Sequence, residues 1–123
     1  MASQGTVSYS MTKAGLEMLT KASALEYAPF GIRVNAVAAA PCETNLYRYS
    51  GLSNFEFNGL RDRASENNPF HRLAMPEEVA KAIVFLTSDK SETMTGHTLT
   101  VTGARHVAPV GFKDWYGSEK MDR

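Results

Sequence analysis

The fold is decided by residues 8–37, which read SYSMTKAGLEMLTKASALEYAPFGIRVNAV. The first part of this stretch carries apolar residues at every third or fourth position: Met11, Ala14, Met18, Ala22 and Leu25. This spacing is typical of one face of an amphipathic α-helix, so we predict a helix over residues 8–28. Pro29 lacks the N–H group that would continue the helix, and Gly31 suits the left-handed residue that often follows a helix end.

A short strand is predicted directly after this helix. Residues 32–37 are rich in β-branched side chains and follow the helix closely, which is typical of a central strand in a parallel sheet. The order of helix and strand suggests a βαβ unit and therefore an α/β fold. Such a strand needs parallel neighbours and helices over both faces, which is more than this chain supplies. We therefore expect the sheet to be incomplete on its own, as a piece of a longer polypeptide or as a chain completed by another chain or a second copy.

The segment after the strand has the features of a loop followed by a capped helix. Residues 38–48 show no periodicity, and ligands of open α/β sheets usually bind at this end of a strand. Residues 53–56 fit a capping box at the start of a helix. Phe57, Leu60 and Ala64 then keep helical spacing. We predict a short helix here, either covering an apolar pocket or packed on its own domain.

A second firm helix and a second strand are predicted further along the chain. Pro76 suits the first turn of a helix, and the acidic pair at residues 77–78 suits its positive end. Residues 97–101 alternate hydroxyl and aliphatic side chains, which is typical of a strand, and Gly103 closes that strand.

Composition limits the class of protein. The chain has 123 residues, with 13 Lys and Arg against 13 Asp and Glu. It therefore has no excess of positive charge of the kind that binds nucleic acid or an anionic membrane. The longest apolar stretch, residues 34–42, is too short to cross a bilayer. A single cysteine, Cys42, makes no internal disulfide, so we expect a cytoplasmic protein, with an organelle interior as the alternative. We divide the chain into a domain portion at residues 1–107 and an extended tail at residues 108–123.

Tyr9 and Lys13 are candidate chemical groups in the first helix. Four residues apart on a helix, they emerge from the same face about one turn from each other. A neighbouring ammonium favours the phenolate form of a tyrosine, so the pair can act as an acid and base unit. Reduction of a carbonyl needs a proton delivered to its oxygen, which a tyrosine hydroxyl can supply. Taken alone, however, the same spacing is more often a solvated helix face.

The sequence around this pair favours the chemical interpretation. Residues 9–16, YSMTKAGL, and residues 26–37, EYAPFGIRVNAV, closely resemble the active-site helix and the following strand of the short-chain dehydrogenase/reductase family. Residues 72–80, RLAMPEEVA, look like the run that opens the last large helix of that family. Residues 95–103, TGHTLTVTG, are similar to its final strand. The resemblance covers residues 5–107.

The resemblance implies both a fold and a function. The implied fold is the back half of a doubly wound, Rossmann-like parallel sheet in an NAD- or NADP-dependent oxidoreductase. Tyr9 would be the proton donor or acceptor, while Lys13 would bind the nicotinamide ribose and tune Tyr9. Thr44 and the backbone near Cys42 would hold the nicotinamide amide. The implied substrate is a small-molecule carbonyl or alcohol, and the expected partner is a second copy in a homo-oligomer or a complementing chain.

The chain also differs from the family pattern. Only eight residues precede Tyr9, so the glycine-rich phosphate turn and the catalytic serine of the family are expected to lie outside this chain. Ala39 and Ala40 stand where the family usually has Pro-Gly, and Thr102 and Ala104 replace an Asp and a second Gly. Two functions therefore stay open: an oxidoreductase whose dinucleotide-binding half lies elsewhere, and a non-catalytic structural or interaction subunit with the same fold.

No other residues form a strong chemical pattern. The three histidines, His71, His97 and His106, have no Cys or carboxylate at the spacing of metal ligands, so we predict no metal site. Cys42 has no histidine placed by sequence to activate it, so we interpret it as a spectator thiol.

Overall fold

The computed structural model describes residues 6–45, 51 and 53–108. Along the chain these form α1 (Val7–Tyr27), a short 3-10 turn, β1 (Ala36–Ala39), α2 (Asn54–Glu66), α3 (Pro76–Thr87), a second 3-10 turn and β2 (Thr98–Val101). The predicted tail lies almost entirely outside the described residues, as do the last residues of the predicted loop. None of the helices in the described ranges is long and apolar enough to cross a membrane.

The two strands form a parallel sheet. The Ala36 N–H donates to the carbonyl of His97 at 2.9 Å, and the Ala40 N–H donates to the carbonyl of Val101 at 3.0 Å. The pairing advances in the same direction on both strands, and α2 and α3 lie between them in sequence. Such a crossover through helices is what a parallel pair requires, so the α/β class predicted from the sequence is confirmed.

The chain divides into two compact units. The first consists of Met1–Ala38 and Val79–Thr100, and the second of Ala39–Glu78 and Val101–Arg123. Each unit is described separately below.

The first helix ends as its sequence predicts. After Tyr27 the chain tightens into a 3-10 turn over Ala28–Phe30, with Pro29 inside that turn. Gly31 then adopts a left-handed φ of 72°, and its N–H donates to the carbonyl of Ala28 at 3.0 Å. A helix end of this kind satisfies carbonyls that would otherwise have no partner, which is why a permissive glycine follows it.

The buried face of α1 is not its apolar face. An amphipathic helix usually packs its apolar stripe against the core, yet Met11, Met18 and Leu25 are 70%, 64% and 80% exposed. Thr20 and Ala24, on the opposite side, are the buried residues of α1. Their small side chains allow a close approach, and a Cβ placed on Gly96 would lie 3.3 Å from the Ala24 Cβ. The sequence spacing predicts the helix correctly, but the large apolar face has no cover among the described residues.

The first strand begins later than predicted. Residues 32–35 are not part of β1, and side-chain bonds join them to the segment before β2 in addition to the backbone bond from the Gly96 N–H to the carbonyl of Val34 at 2.7 Å. The Asn35 amide donates to the carbonyl of Met94 at 2.7 Å and accepts from the His97 N–H at 3.1 Å. The Thr95 hydroxyl accepts from the Val34 N–H at 3.1 Å. The strand therefore starts at Ala36 and runs to Ala39, into the stretch where the sequence predicts a loop.

Helices α2 and α3 both begin where the sequence predicts. Ser53 caps α2, with its hydroxyl accepting from the Glu56 N–H and the Glu56 carboxylate accepting from the Ser53 N–H at 2.9 Å. Helix α3 begins at Pro76, as predicted. Before it, Arg72 makes two bonds to the Glu78 carboxylate, at 2.7 and 2.6 Å, and the Met75 N–H donates to the same carboxylate at 2.8 Å.

The departures from the family's glycine pattern have different consequences. Ala40 continues the ladder to Val101, and neither Ala39 nor Ala40 has a positive φ, so an alanine costs nothing in this conformation. Ala104, by contrast, has a φ of 64°. That left-handed conformation disfavours a side chain by about 1–2 kcal/mol, so position 104 is one where a glycine fits better.

Candidate active site

Tyr9 and Lys13 lie one turn apart on α1. The Lys13 ammonium stands over the Tyr9 ring, with Nζ 5.3 Å from the ring centroid. That separation is within the range of a cation–π contact. In the described part of the chain the two side chains contact through the ring face, and no hydrogen bond joins the ammonium to the hydroxyl. The predicted pair is therefore close together, with the Tyr9 hydroxyl available to another group.

The same face of α1 that carries this pair also packs inward further along. Thr20 lies eleven residues after Tyr9, and Ala24 lies eleven residues after Lys13. Eleven residues make about three turns of α-helix. Tyr9 and Lys13 thus extend the buried face of the helix toward its N-terminus. Tyr9 itself is 64% exposed, so the pair lies at an open end of that face, accessible to a ligand.

The loop with Cys42 and Thr44 belongs to the second unit and is held by backbone bonds. Cys42 pairs with Ala74 as a parallel bridge. The Glu43 N–H donates to the carbonyl of Ala74 at 2.9 Å, and the Ala74 N–H donates to the carbonyl of Pro41 at 3.2 Å. This loop directly continues the carboxyl end of β1, where open α/β sheets bind ligands.

The surroundings of the Cys42 thiol favour its protonated form. Burial raises the pKa of this thiol, and the nearby carboxylates of Glu77, Glu78 and Glu43 raise it further. A hydrogen bond from the Glu43 backbone lowers the pKa and opposes these effects only in part. Because the thiolate is the nucleophilic form of cysteine, these surroundings favour the interpretation of Cys42 as a spectator in the chemistry.

An apolar cavity of about 170 Å³ lies beside this loop in the second unit. Its lining comes from the loop, from one face of α2 and from the segment before α3: Pro41, Cys42, Glu43, Thr44, Phe57, Leu60, Arg61, Ala64 and Leu73. A closed apolar cavity of about 150 Å³ is large enough to bind a benzene ring. The face of α2 that the sequence marks by Phe57, Leu60 and Ala64 is therefore the face that lines this cavity.

Sequence reasoning missed one pair of residues at this cavity. The Arg61 Nε donates to the Glu43 Oε2 at 3.0 Å, and both side chains line the cavity. Eighteen positions separate the two residues, so no local pattern marks them as partners. A signal was nevertheless present, because Arg61 follows Phe57 by four residues and so lies one turn along the helix face that the apolar spacing identified.

The described residues contain no cluster of potential metal ligands. No three His, Cys, Asp or Glu side chains among residues 6–45, 51 and 53–108 lie close enough to hold a metal ion. His106, one of the three histidines, bonds through its Nδ1 to the Thr102 hydroxyl at 2.5 Å, which is a local contact four residues apart.

A known protein family matches most of the chain. The family profile described as Enoyl-(Acyl carrier protein) reductase matches residues 1–105. A cis-4-hydroxycyclohexanecarboxylate dehydrogenase of Sinomonas cyclohexanicum is 45% identical over 96 residues, which are 78% of this chain and 36% of that protein. A 3-oxoacyl-(acyl-carrier-protein) reductase of Staphylococcus epidermidis is 36% identical over 107 residues, or 87% of this chain and 41% of that protein.

Solved structures give the same result for the fold. The ligand-free aldohexose dehydrogenase of Thermoplasma acidophilum superposes with a TM-score of 0.80 at 30% identity, covering 89% of this chain and 44% of that one. A short chain dehydrogenase family protein of Francisella tularensis superposes with a TM-score of 0.76 at 31% identity, covering 87% and 46%. The chain therefore has part of a Rossmann-like α/β fold, and it spans less than half the length of these proteins.

Proposed function

Because the chain belongs to the short-chain dehydrogenase/reductase family, we propose that it supplies the proton-transfer helix of an NAD- or NADP-dependent oxidoreductase. The reaction is the interconversion of a carbonyl and an alcohol. The observation that carries this proposal is the Tyr9 and Lys13 pair, one turn apart on α1 with the ammonium 5.3 Å from the ring centroid. The pair lies at the accessible end of the inward face of the helix, and its hydroxyl is available to a substrate oxygen.

The residues present fit a nicotinamide cofactor by the chemistry of their donors. The exposed Lys13 ammonium suits ribose hydroxyls, while the Thr44 hydroxyl and the backbone at Cys42 suit a neutral amide. Hydride exchange at the carbonyl carbon is the chemistry that the bound cofactor supplies. The part of Tyr9 is to give its hydroxyl proton to the substrate oxygen in reduction and to take that proton back in oxidation.

The cavity beside the Cys42 loop supports a substrate with an apolar portion. Its volume of about 170 Å³ is sufficient for one six-membered ring. The relative from Sinomonas cyclohexanicum is named for a hydroxylated cyclohexane ring, the reductase of Staphylococcus epidermidis for a 3-oxoacyl group, and the solved structure from Thermoplasma acidophilum for an aldohexose. We propose a small-molecule carbonyl or alcohol of this size as substrate, to be sought first among cyclohexanones, 3-oxoacyl thioesters and aldoses.

Replacing Lys13 by methionine tests the role of the ammonium. The variant keeps the approximate length of the side chain and removes its charge, so the hydrogen bonds to the ribose are lost. Hydrogen bonds to a charged group are worth about 1.5–3 kcal/mol, so we expect the Kd for the reduced cofactor to rise about 10- to 100-fold. Quenching of protein fluorescence during titration with NADH and NADPH measures this Kd. Lys21→Met, two turns further along the same helix, is the matched control, and equal Kd values for the two variants would contradict the assignment.

A second candidate function is a structural or interaction subunit. It is favoured by the exposed apolar face of α1, where Met11, Met18 and Leu25 have no cover among the described residues. We propose that this face is covered in the assembled protein, either by a second copy or by a complementing chain. A native mass equal to that of the single denatured polypeptide would contradict this arrangement.

A further inference from the structure

One side-chain ion pair crosses the cavity wall in the second unit. The Arg61 Nε, on α2, donates to the Glu43 Oε2, in the loop after β1, at 3.0 Å. The Arg61 side chain is 50% exposed and the Glu43 side chain 34%, so the pair lies at the mouth of the cavity rather than in its interior. Exposed pairs of this kind contribute modestly to overall stability, but this one joins two different walls of a single pocket.

The two walls of the cavity are expected to contact different molecules, the cofactor and the substrate. The loop carries Cys42 and Thr44, which are expected to contact the nicotinamide amide. The facing side of α2 contributes Phe57, Leu60 and Ala64 to the apolar lining, where the substrate is expected to lie. Backbone bonds to Ala74 fix one side of the loop, while the Glu43 side chain ties the loop to α2.

We propose that Arg61 is a positioning residue, which through Glu43 holds α2 across the cavity and fixes the loop that bears Cys42 and Thr44. The effect on turnover rests on the proposed oxidoreductase function. The closure of the cavity by this pair does not depend on that function, because the closure involves only contacts within the second unit.

Cys42 provides a reporter of that closure. Its thiol lines the cavity, it is only partly exposed, and it is the single cysteine in these 123 residues. A maleimide added to the full-length protein reaches this thiol faster when α2 moves away from the loop. Mass analysis of the peptide containing Cys42 gives the rate at this site alone, whatever other cysteines the protein contains.

The decisive variant is Arg61→Met, because it can change the rate of Cys42 modification in two ways, and these two effects have opposite signs. Removing a cation and leaving the Glu43 carboxylate unpaired disfavours the Cys42 thiolate, which slows modification at a fixed pH. Opening of the cavity accelerates modification. We expect a net rate about two- to fivefold faster than in the unaltered protein, the change in an opening equilibrium that follows loss of an exposed ion pair.

The matched control is Arg63→Met, which makes the same substitution two residues further along α2. The Arg63 side chain has no partner among the described residues, so its modification rate is expected to stay at that of the unaltered protein. The conservative variant Arg61→Lys keeps a cation that can pair with Glu43, leaves the residues next to Cys42 unchanged, and is expected to keep the slow rate. A rate for Arg61→Met equal to that of Arg63→Met, or a rate for Arg61→Lys as fast as that of Arg61→Met, would overturn the proposal.

Turnover gives an independent measurement. In the active protein, Arg61→Met is expected to raise the KM for the carbonyl substrate about two- to fivefold while kcat changes less than twofold, because no reacting atom is removed. A loss confined to kcat would contradict a positioning role. The labelling result stands apart from the Tyr9 chemistry, so failure of one is distinguishable from failure of the other.

Discussion

Replacement of Tyr9 by phenylalanine is expected to lower kcat about 100- to 10,000-fold while leaving the Kd for the reduced cofactor unchanged. The magnitude is that of a general acid removed from the transition state. The substitution deletes a single hydroxyl, which is the group proposed to give its proton to the substrate oxygen. Cofactor-linked absorbance at saturating substrate measures kcat, and fluorescence titration measures the Kd.

The fold is expected to tolerate this change. Tyr9 is 64% exposed, and a phenylalanine ring keeps the contact with the Lys13 ammonium. Tyr27→Phe, at the other end of α1, removes an equivalent hydroxyl and is expected to retain full activity. Turnover by Tyr9→Phe at the rate of Tyr27→Phe would remove Tyr9 from the reaction and contradict the proposed proton-transfer role of α1.

Gly103→Ala is expected to cause the largest loss of stability, about 2–5 kcal/mol in the free energy of unfolding. Gly103 has a φ of 55°, and a Cβ there would lie 2.6 Å from the Asn68 Oδ1 and 3.2 Å from a ring carbon of Phe70. The left-handed backbone disfavours an alanine by about 1–2 kcal/mol, and a displaced buried polar group costs about 1–3 kcal/mol more.

Asn68 has little freedom to move away from such a Cβ. It is 3% exposed, its amide donates to the carbonyl of Thr102 at 3.3 Å, and its Oδ1 accepts from the Phe70 N–H at 2.9 Å. Any shift that relieves the contact therefore breaks one of these bonds.

Urea unfolding of the two alanine variants, Gly103→Ala and Gly59→Ala, checks this expectation. Gly59 lies inside α2, and a Cβ added there would meet nothing within 4 Å, so alanine at this position is expected to raise stability by about 0.5–1 kcal/mol. Equal midpoints for the two variants would show that the backbone at residue 103 accepts a side chain.

The features that sequence patterns predict well are those decided by neighbouring residues. Pro29 and Gly31 end α1 through their own backbone chemistry, and Ser53 and Glu56 cap α2 through a contact three residues long. Tyr9 and Lys13 are adjacent on a helix by spacing alone. Each of these depends on contacts within about one turn of the chain, so the sequence is sufficient to place them.

The features that sequence patterns miss depend on residues far apart along the chain. The start of β1 is displaced because Asn35 bonds to Met94 and His97, about sixty residues away. The buried side of α1 is decided by its approach to Gly96 at Ala24 rather than by hydrophobicity. The ion pair of Glu43 and Arg61 likewise joins two elements. Periodicity identifies a helix face but does not say what that face meets.

The most direct test of the central claim follows deuterium from the cofactor to the product. The full-length protein is mixed with NADH or NADPH carrying deuterium at both hydrogen positions of nicotinamide C4, together with carbonyl substrates of the three classes proposed above, and the masses of the product alcohols are measured by mass spectrometry. An oxidoreductase of this family is expected to give an alcohol one mass unit heavier, with the label on the former carbonyl carbon. Failure to form any labelled alcohol, by a protein that remains folded and binds cofactor, would contradict the oxidoreductase function and leave a structural subunit in its place.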